Sequence, residues 1–394
     1  MTERPSLSTN HCRFRGFPMR GWRIFSIAGI DVEINYSWIF ILVMLVLALT
    51  TEFAIAVPEA PAWQAQLGGL LAALALFGCI LAHELAHSLT AMRYGISVAR
   101  ITLFLFGGVA QTRSEAPSAT SEVVIAAVGP VSSLLLAAIF LGMGAGLEHL
   151  ALNEVAVAAL RRLGYINALL AGFNLLPAFP LDGGRLLRAA LWEWWGDLLR
   201  STRVATTMGR LMGLSLFMLG AYETLRHGFL YGLWFLALGW LLSGAAAQAY
   251  QATRLREALR RVPVYRAMQP LTFAVPADVS LFAAVHQYLM PYRLPAIPVA
   301  DDGLLIGLLK ADVLRRYPEA MWYHVRVREA MAPLEVDQTV LPVGADLGQA
   351  LDRLGGGEQK CLIVVGPDGS LAGLLTQEML MGAAHAYGGP GLAT

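Results

Sequence analysis

The feature that most constrains this chain is a series of long, nearly uncharged apolar runs between about Ile34 and Tyr250. A helix needs about 20 such residues to cross the hydrocarbon of a bilayer. Segments 34 to 54, 66 to 94, 122 to 147, 160 to 179, 204 to 222 and 228 to 248 meet that requirement. Only 14% of the residues are charged and 56% are hydrophobic, where soluble domains carry about a quarter charged. The expectation is a mainly α membrane protein with six transmembrane helices. After Arg254 the composition becomes that of an ordinary soluble protein, so a soluble part follows the membrane body. A formal net charge of +1 provides no basic field for nucleic acid and no acidic field for cationic partners.

An even number of spans puts both termini on one side. The first twenty residues carry Arg4, Arg13, Arg15 and Arg20 but no apolar core, so no cleavable signal peptide is expected and the first span stays in place. Arginines also crowd the Arg93 to Arg113 connection, the Arg185 to Arg203 connection and the Arg254 to Arg261 exit. The positive-inside rule assigns these to the cytoplasm; Arg161, Arg162 and Arg226 run against it. Cys12, Cys79 and Cys361 are far apart and form no CxxC pair, which suits a reducing interior for the soluble part.

Between the second and third spans, Ile101 to Thr112 reads ITLFLFGGVAQT. It is too short to cross as a helix, and its branched and aromatic residues flank Gly107-Gly108. It is expected to be a β-hairpin, tolerated at membrane depth only beside protein or a water-filled cavity.

Inside the second span lies His83-Glu84-Leu85-Ala86-His87. On a helix, residues four apart share a face, so both imidazoles can bind one Zn²⁺ while Glu84 reaches the water beside it. Ionisable groups in a lipid-spanning helix cost about 2–3 kcal/mol each near the centre and mark functional sites. Zinc at a catalytic site takes three protein ligands and keeps the fourth position open. Asp182 is the candidate third ligand, within Asn174-Leu-Leu-Pro177-Ala-Phe-Pro180-Leu-Asp182-Gly183-Gly184, where two prolines break the fourth span. The alternative is a turn aspartate at a helix end. Asn174 is a candidate oxyanion donor or a packing amide between spans. Gly129-Pro130 reads as a kink or close-packing point, and Trp192, Trp194 and Trp195 as an interfacial anchor. No metal role falls to His149, His227, His286 or His324.

The soluble part repeats itself. Met268-Gln269-Pro270-Leu271 recurs as Met331-Ala332-Pro333-Leu334, and Asp302-Gly303 with Gly307-Leu308-Leu309 recurs as Asp368-Gly369 with Gly373-Leu374-Leu375. Each copy is expected to run helix, strand, Asp-Gly turn, strand, helix. The pattern resembles a tandem pair of cystathionine-β-synthase-type (CBS) domains. Such pairs bind adenine nucleotides and form homodimers, which makes both an expectation here. The acid of the usual nucleotide motif falls one place early in Lys310-Ala311-Asp312 and Thr376-Gln377-Glu378.

His83-Glu84-x-x-His87 within a span, together with the Asn174 to Gly184 stretch, resembles the site-2 protease family of intramembrane zinc metalloproteases. The trailing repeats resemble its six-span group with C-terminal CBS domains. The resemblance implies hydrolysis of peptide bonds in or near transmembrane segments of membrane-tethered proteins, by zinc-activated water with Glu84 as general base. It implies His83, His87 and Asp182 as metal ligands and the hairpin, with Gly107 and Gly108, as a substrate-docking edge. The divisions expected are an arm (1–33), a six-span domain (34–253, catalytic core about 66–184), a linker (254–262), two repeats (263–322 and 323–384) and a tail (385–394). A CBS-gated channel or transporter is the alternative reading, and a proteolytically inactive relative that binds transmembrane helices is a third.

Overall fold

A computed structural model of the chain describes residues 21–104, 107–112, 114–292, 294–354 and 360–387. The N-terminal arginines and Cys12, the hairpin turn at positions 105–106, Arg113 and the last seven residues lie outside them. The chain forms two compact units, Met1–Leu175 and Leu176–Thr394.

The first unit opens with strands β1 (Trp22–Ile27) and β2 (Ile30–Ile34), at the end of the segment expected to be the N-terminal arm. Helix α1 (Tyr36–Ala56) starts where the Asn35 side chain accepts a hydrogen bond from the Ser37 amide, satisfying one of the orphan donors of a helix start. Helix α2 (Ala62–Arg93) follows, then strands β3 (Val98–Phe104) and β4 (Gly107–Thr112). Helix α3 (Ala119–His149) begins at a Ser118–Ser121 capping box, and α4 (Glu154–Asn174) at an Asn153 cap. The hairpin therefore forms, but as one end of a four-stranded sheet of order β1-β2-β3-β4. Strand β2 pairs parallel to β3, and β4 is an outer strand.

Small residues let these helices approach closely, as expected where lipid supplies no hydrophobic drive between them. A Cβ built on Gly69 of α2 would lie 2.3 Å from the Thr50 hydroxyl of α1. Leu49 and Phe53 pack with Ala72, Ala73 and Leu76 of α2 and Val155 and Leu163 of α4. Two of the three arginines that run against the expected orientation are ion-paired across helices, Arg161 with Glu148 and Arg162 with Glu52.

The second unit opens on a loop and the short helix α5 (Asp182–Trp195), which a search for spans passes over because 14 residues cannot cross a bilayer. Helices α6 (Leu198–His227) and α7 (Phe229–Arg260) form a hairpin at Gly228. Their seam is set by Gly213 and Gly220 of α6 against Gly239 and Gly232 of α7, each so close that a Cβ would meet the opposite backbone within 2.9 Å. Among the described residues, six helices, α1 to α4, α6 and α7, are long and apolar enough to cross a membrane.

The repeats fold into two four-stranded sheets. One contains β6 (Val275–Pro276), β7 (Ala296–Asp301) and β8 (Leu304–Lys310); the other contains β10 (Val340–Pro342), β11 (Cys361–Val365) and β12 (Leu371–Thr376). Each sheet borrows its fourth strand from the other copy. β5 (Gln269–Pro270) pairs with β12, and β9 (Ala332–Pro333) pairs with β8. The expected closing helix exists in the second copy, Gln377–Tyr387. In the first it is a short 3₁₀ turn, Ala311–Arg315, with Pro318 a few residues on, a residue that cannot continue a helix. The helix before β7 runs α-helical over Leu281–Ala284 and widens to a π-helix over Val285–Leu289.

Candidate metal centre

Helix α2 is built mostly of alanine and leucine around its polar residues, so its pitch alone sets the side-chain geometry. His83 and His87, four residues apart, are both buried, 4% and 7% exposed. Their rings meet edge to face with centroids 4.8 Å apart, and their Nε2 atoms lie 3.1 Å from each other. The outer nitrogen of each ring is held by α3. Nδ1 of His87 lies 2.6 Å from the Ile125 carbonyl oxygen, and Nδ1 of His83 lies 2.9 Å from the Ser133 hydroxyl. A carbonyl can only accept, so the hydrogen of His87 resides on Nδ1 and its Nε2 presents a lone pair.

Gly129 explains how α3 comes so near. A Cβ there would stand 2.1 Å from His87 Nε2 and 2.7 Å from His83 Nε2. In the sequence this glycine reads as a kink or close-packing point, and Ser133 lies one helical turn further along the same face. A Gly-x-x-x-Ser spacing beside a membrane-embedded histidine pair was the available signal.

Glu84 is half-buried beside them. Strand β4 runs against it: a Cβ on Gly108 would lie 2.7 Å from Glu84 Cγ. Gly107 begins that strand with φ of 131°, a conformation open to glycine. β3 is the buried partner, with Ile101 and Thr102 fully inaccessible, whereas β4 carries exposed positions and pairs on one side only within its sheet.

In the second unit, Asp182 is the first residue of α5 and is buried. The loop before it is fixed by Phe179, whose amide donates to the Ala205 carbonyl of α6 at 3.1 Å. Gly184 and Gly209 leave no side chain in its way; a Cβ at either would strike the Phe179 backbone. The Arg188 guanidinium sits over the Phe179 ring at 5.3 Å. His83, His87 and Asp182 are all buried, and each offers one ligand atom of a type that zinc takes. Asn174, the last residue of α4, is half-buried, and its side chain forms no hydrogen bond among the described residues.

The donor set fits zinc. Two nitrogens each 2.0–2.1 Å from a tetrahedral ion would be about 3.3 Å apart, close to the 3.1 Å between the imidazoles. The hydrogen bonds at both Nδ1 atoms are of the kind that orient metal-ligating histidines.

Comparison with known proteins agrees with this chemistry. Residues 71–153 and 148–219 match Peptidase family M50. Rip3 of Mycobacterium tuberculosis, named as a zinc metalloprotease, is 34% identical over 317 residues, covering 80% of this chain and 81% of that protein. The protein sll0528 of Synechocystis, likewise named, is 30% identical over 367 residues, covering 91% and 94%. A solved structure, the site-2 protease from Methanocaldococcus jannaschii, is 25% identical and covers 59% of this chain and 95% of its own, with a TM-score of 0.41.

Proposed function

The chain belongs to peptidase family M50, the site-2 type of membrane zinc metalloprotease, and from that premise we propose that it cleaves transmembrane or juxtamembrane segments with His83, His87 and Asp182 holding zinc and Glu84 as general base. The observation that carries the reading is the buried Nε2 pair of α2 with Glu84 between its two histidines and the outer strand β4 alongside.

Zinc, when bound, supplies Lewis acidity, bringing the pKa of water to about 7 and polarising the scissile carbonyl. Glu84 takes the proton of the attacking water and returns it to the leaving amine. Asn174 is proposed as donor to the oxyanion. A substrate helix hides its peptide bonds, so it must unwind; pairing with the outer strand at Gly107 and Gly108 gives its freed backbone groups new partners. The substrates are membrane-embedded proteins, and helix breakers near the cut site assist cleavage.

Both termini and the CBS pair are proposed to face the cytoplasm. The arginine distribution supports this, as do the Arg161–Glu148 and Arg162–Glu52 pairs, which leave the opposing side without unmatched charge at those positions. The CBS pair is proposed to regulate cleavage, through an adenine nucleotide or by assembling a homodimer.

The decisive comparison uses purified protein and its Glu84→Gln variant with a helical substrate. Wild type should carry one zinc and cut, while the variant keeps zinc and does not. Wild type without zinc, or a variant that cuts at the wild-type rate, would sink the reading. A cleavage rate unmoved by ATP, ADP or AMP would remove the nucleotide.

A further inference from the structure

Serines and threonines inside membrane helices ordinarily satisfy their hydroxyls on their own helix, three or four residues back. This chain does so repeatedly: Ser132 donates to the Gly129 carbonyl at 2.6 Å, Thr202 to Leu198, Thr206 to Thr202 and Thr224 to Gly220. Ser133 departs from the pattern. It is fully buried, and its hydroxyl turns off α3 onto Nδ1 of His83 at 2.9 Å, its side-chain hydrogen bond among the described residues.

The two histidines are thus anchored differently. His87 is held by a main-chain carbonyl, which no substitution removes. Nδ1 of His83 is held by a side chain, so this contact, unlike that of His87, can be removed by substitution at residue 133. The terminal torsion of a histidine is broad and roughly two-fold, and a ring without its Nδ1 partner can tilt or turn its nitrogens over. For Nε2 to face a metal, the hydrogen must stay on Nδ1, where the serine oxygen accepts it.

We infer that Ser133 is the positioning residue of His83, a hydroxyl that fixes the ring so that Nε2 points at the ion. This rests on the zinc reading above, and it adds a residue that neither touches substrate nor binds metal. Loss of such a partner typically weakens metal binding 10–100-fold.

The test is zinc affinity of the full-length protein in detergent, measured by competition with a chelator, together with the absorption spectrum of the cobalt-substituted form. Ser133→Ala should bind zinc at least 10-fold more weakly and shift the cobalt bands. Ser132→Ala, which removes the neighbouring hydroxyl, should change neither. Ser133→Thr and Ser133→Val share a shape and differ in the hydroxyl, so they serve where alanine does not fold; threonine should stay near wild type and valine should fall 10–100-fold. Equal affinities within a pair, with unchanged cobalt spectra, would overturn the role of Ser133 while leaving the zinc site intact. Wild type that binds no zinc would overturn the zinc reading itself.

Discussion

A side chain at position 129 would crowd Nε2 of His87, the atom proposed to face the metal: a Cβ built on Gly129 falls 2.1 Å from it. No rotamer of an added methyl avoids this, because the clash is with Cβ itself. Gly129→Ala must therefore push α3 off α2 or swing both imidazoles aside. The expected result is at least 100-fold weaker zinc binding, read as metal content after dialysis against a graded chelator series. Retention of one zinc per chain at wild-type affinity would show that α3 does not confine the histidines.

Gly108 plays the matching part for Glu84, with a Cβ there falling 2.7 Å from Glu84 Cγ and 3.3 Å from a Leu103 methyl. Its φ lies outside the left-handed region, so Gly108→Ala costs little in the backbone and acts through that contact. Displacing a catalytic group by about 1 Å can cost about 100-fold in rate. Gly108→Ala is expected to keep its zinc and lose about that much in kcat, a combination distinct from Gly129→Ala. Parallel loss of metal in both variants would mean that β4 supports the histidines and not Glu84, the proposed base.

What the sequence disclosed, and what it hid, divides by the range of the forces involved. The six spans were legible because lipid demands about 20 apolar residues from each helix whatever its neighbours are. His83, Glu84 and His87 were legible because helix pitch alone relates them. Ser133 and Gly129 were not, since α3 is apolar nearly all round and its own periodicity cannot say which face meets α2. Strands β1 and β2 escaped notice because the β2–β3 pairing is parallel and joins segments about 70 residues apart, Asp31 with Arg100. Helix α5 is too short to register as a span, although Trp192, Trp194 and Trp195, expected to form an interfacial anchor, belong to it.

The repeated motifs of the soluble part have a physical cause that yields its own expectation. Gly307 faces Met331 and Ala332, and Gly373 faces Met268 and Gln269: in both, a Cβ would lie 2.6 Å from a carbonyl oxygen of the borrowed strand and within 2.9 Å of the methionine sulfur. Each Met-x-Pro therefore packs on the glycine of the other copy. Gly307→Ala should destabilise the repeats by about 1–3 kcal/mol through overpacking, seen as a lower unfolding midpoint. Adding Met331→Ala should not restore it, because the Ala332 carbonyl remains as close as the sulfur. Full rescue by the methionine truncation would place the conflict in the side chain alone.

Cys361 gives the soluble part a defined alkaline response. Burial in the sheet pushes its thiol up to about 11, with Asp312 adding to the rise and Lys310 opposing it. An acid whose folded pKa exceeds its unfolded value near 9.0 stays protonated in the fold while the unfolded chain sheds its proton. Its contribution is complete below pH 9 and is lost progressively between about 9 and 11, by roughly 2 kcal/mol at the upper end. Other groups titrate in the same window, so the informative quantity is the difference between wild type and Cys361→Ala in unfolding midpoint at pH 8 and pH 10.5. Wild type should lose the greater stability on going to the higher pH. Native protein at pH 8 should also resist alkylation at Cys361, since the thiolate is the nucleophile, and should react once denatured. Rapid labelling of Cys361 in the folded state, or identical pH responses in the two proteins, would mean that the thiol is not buried as described.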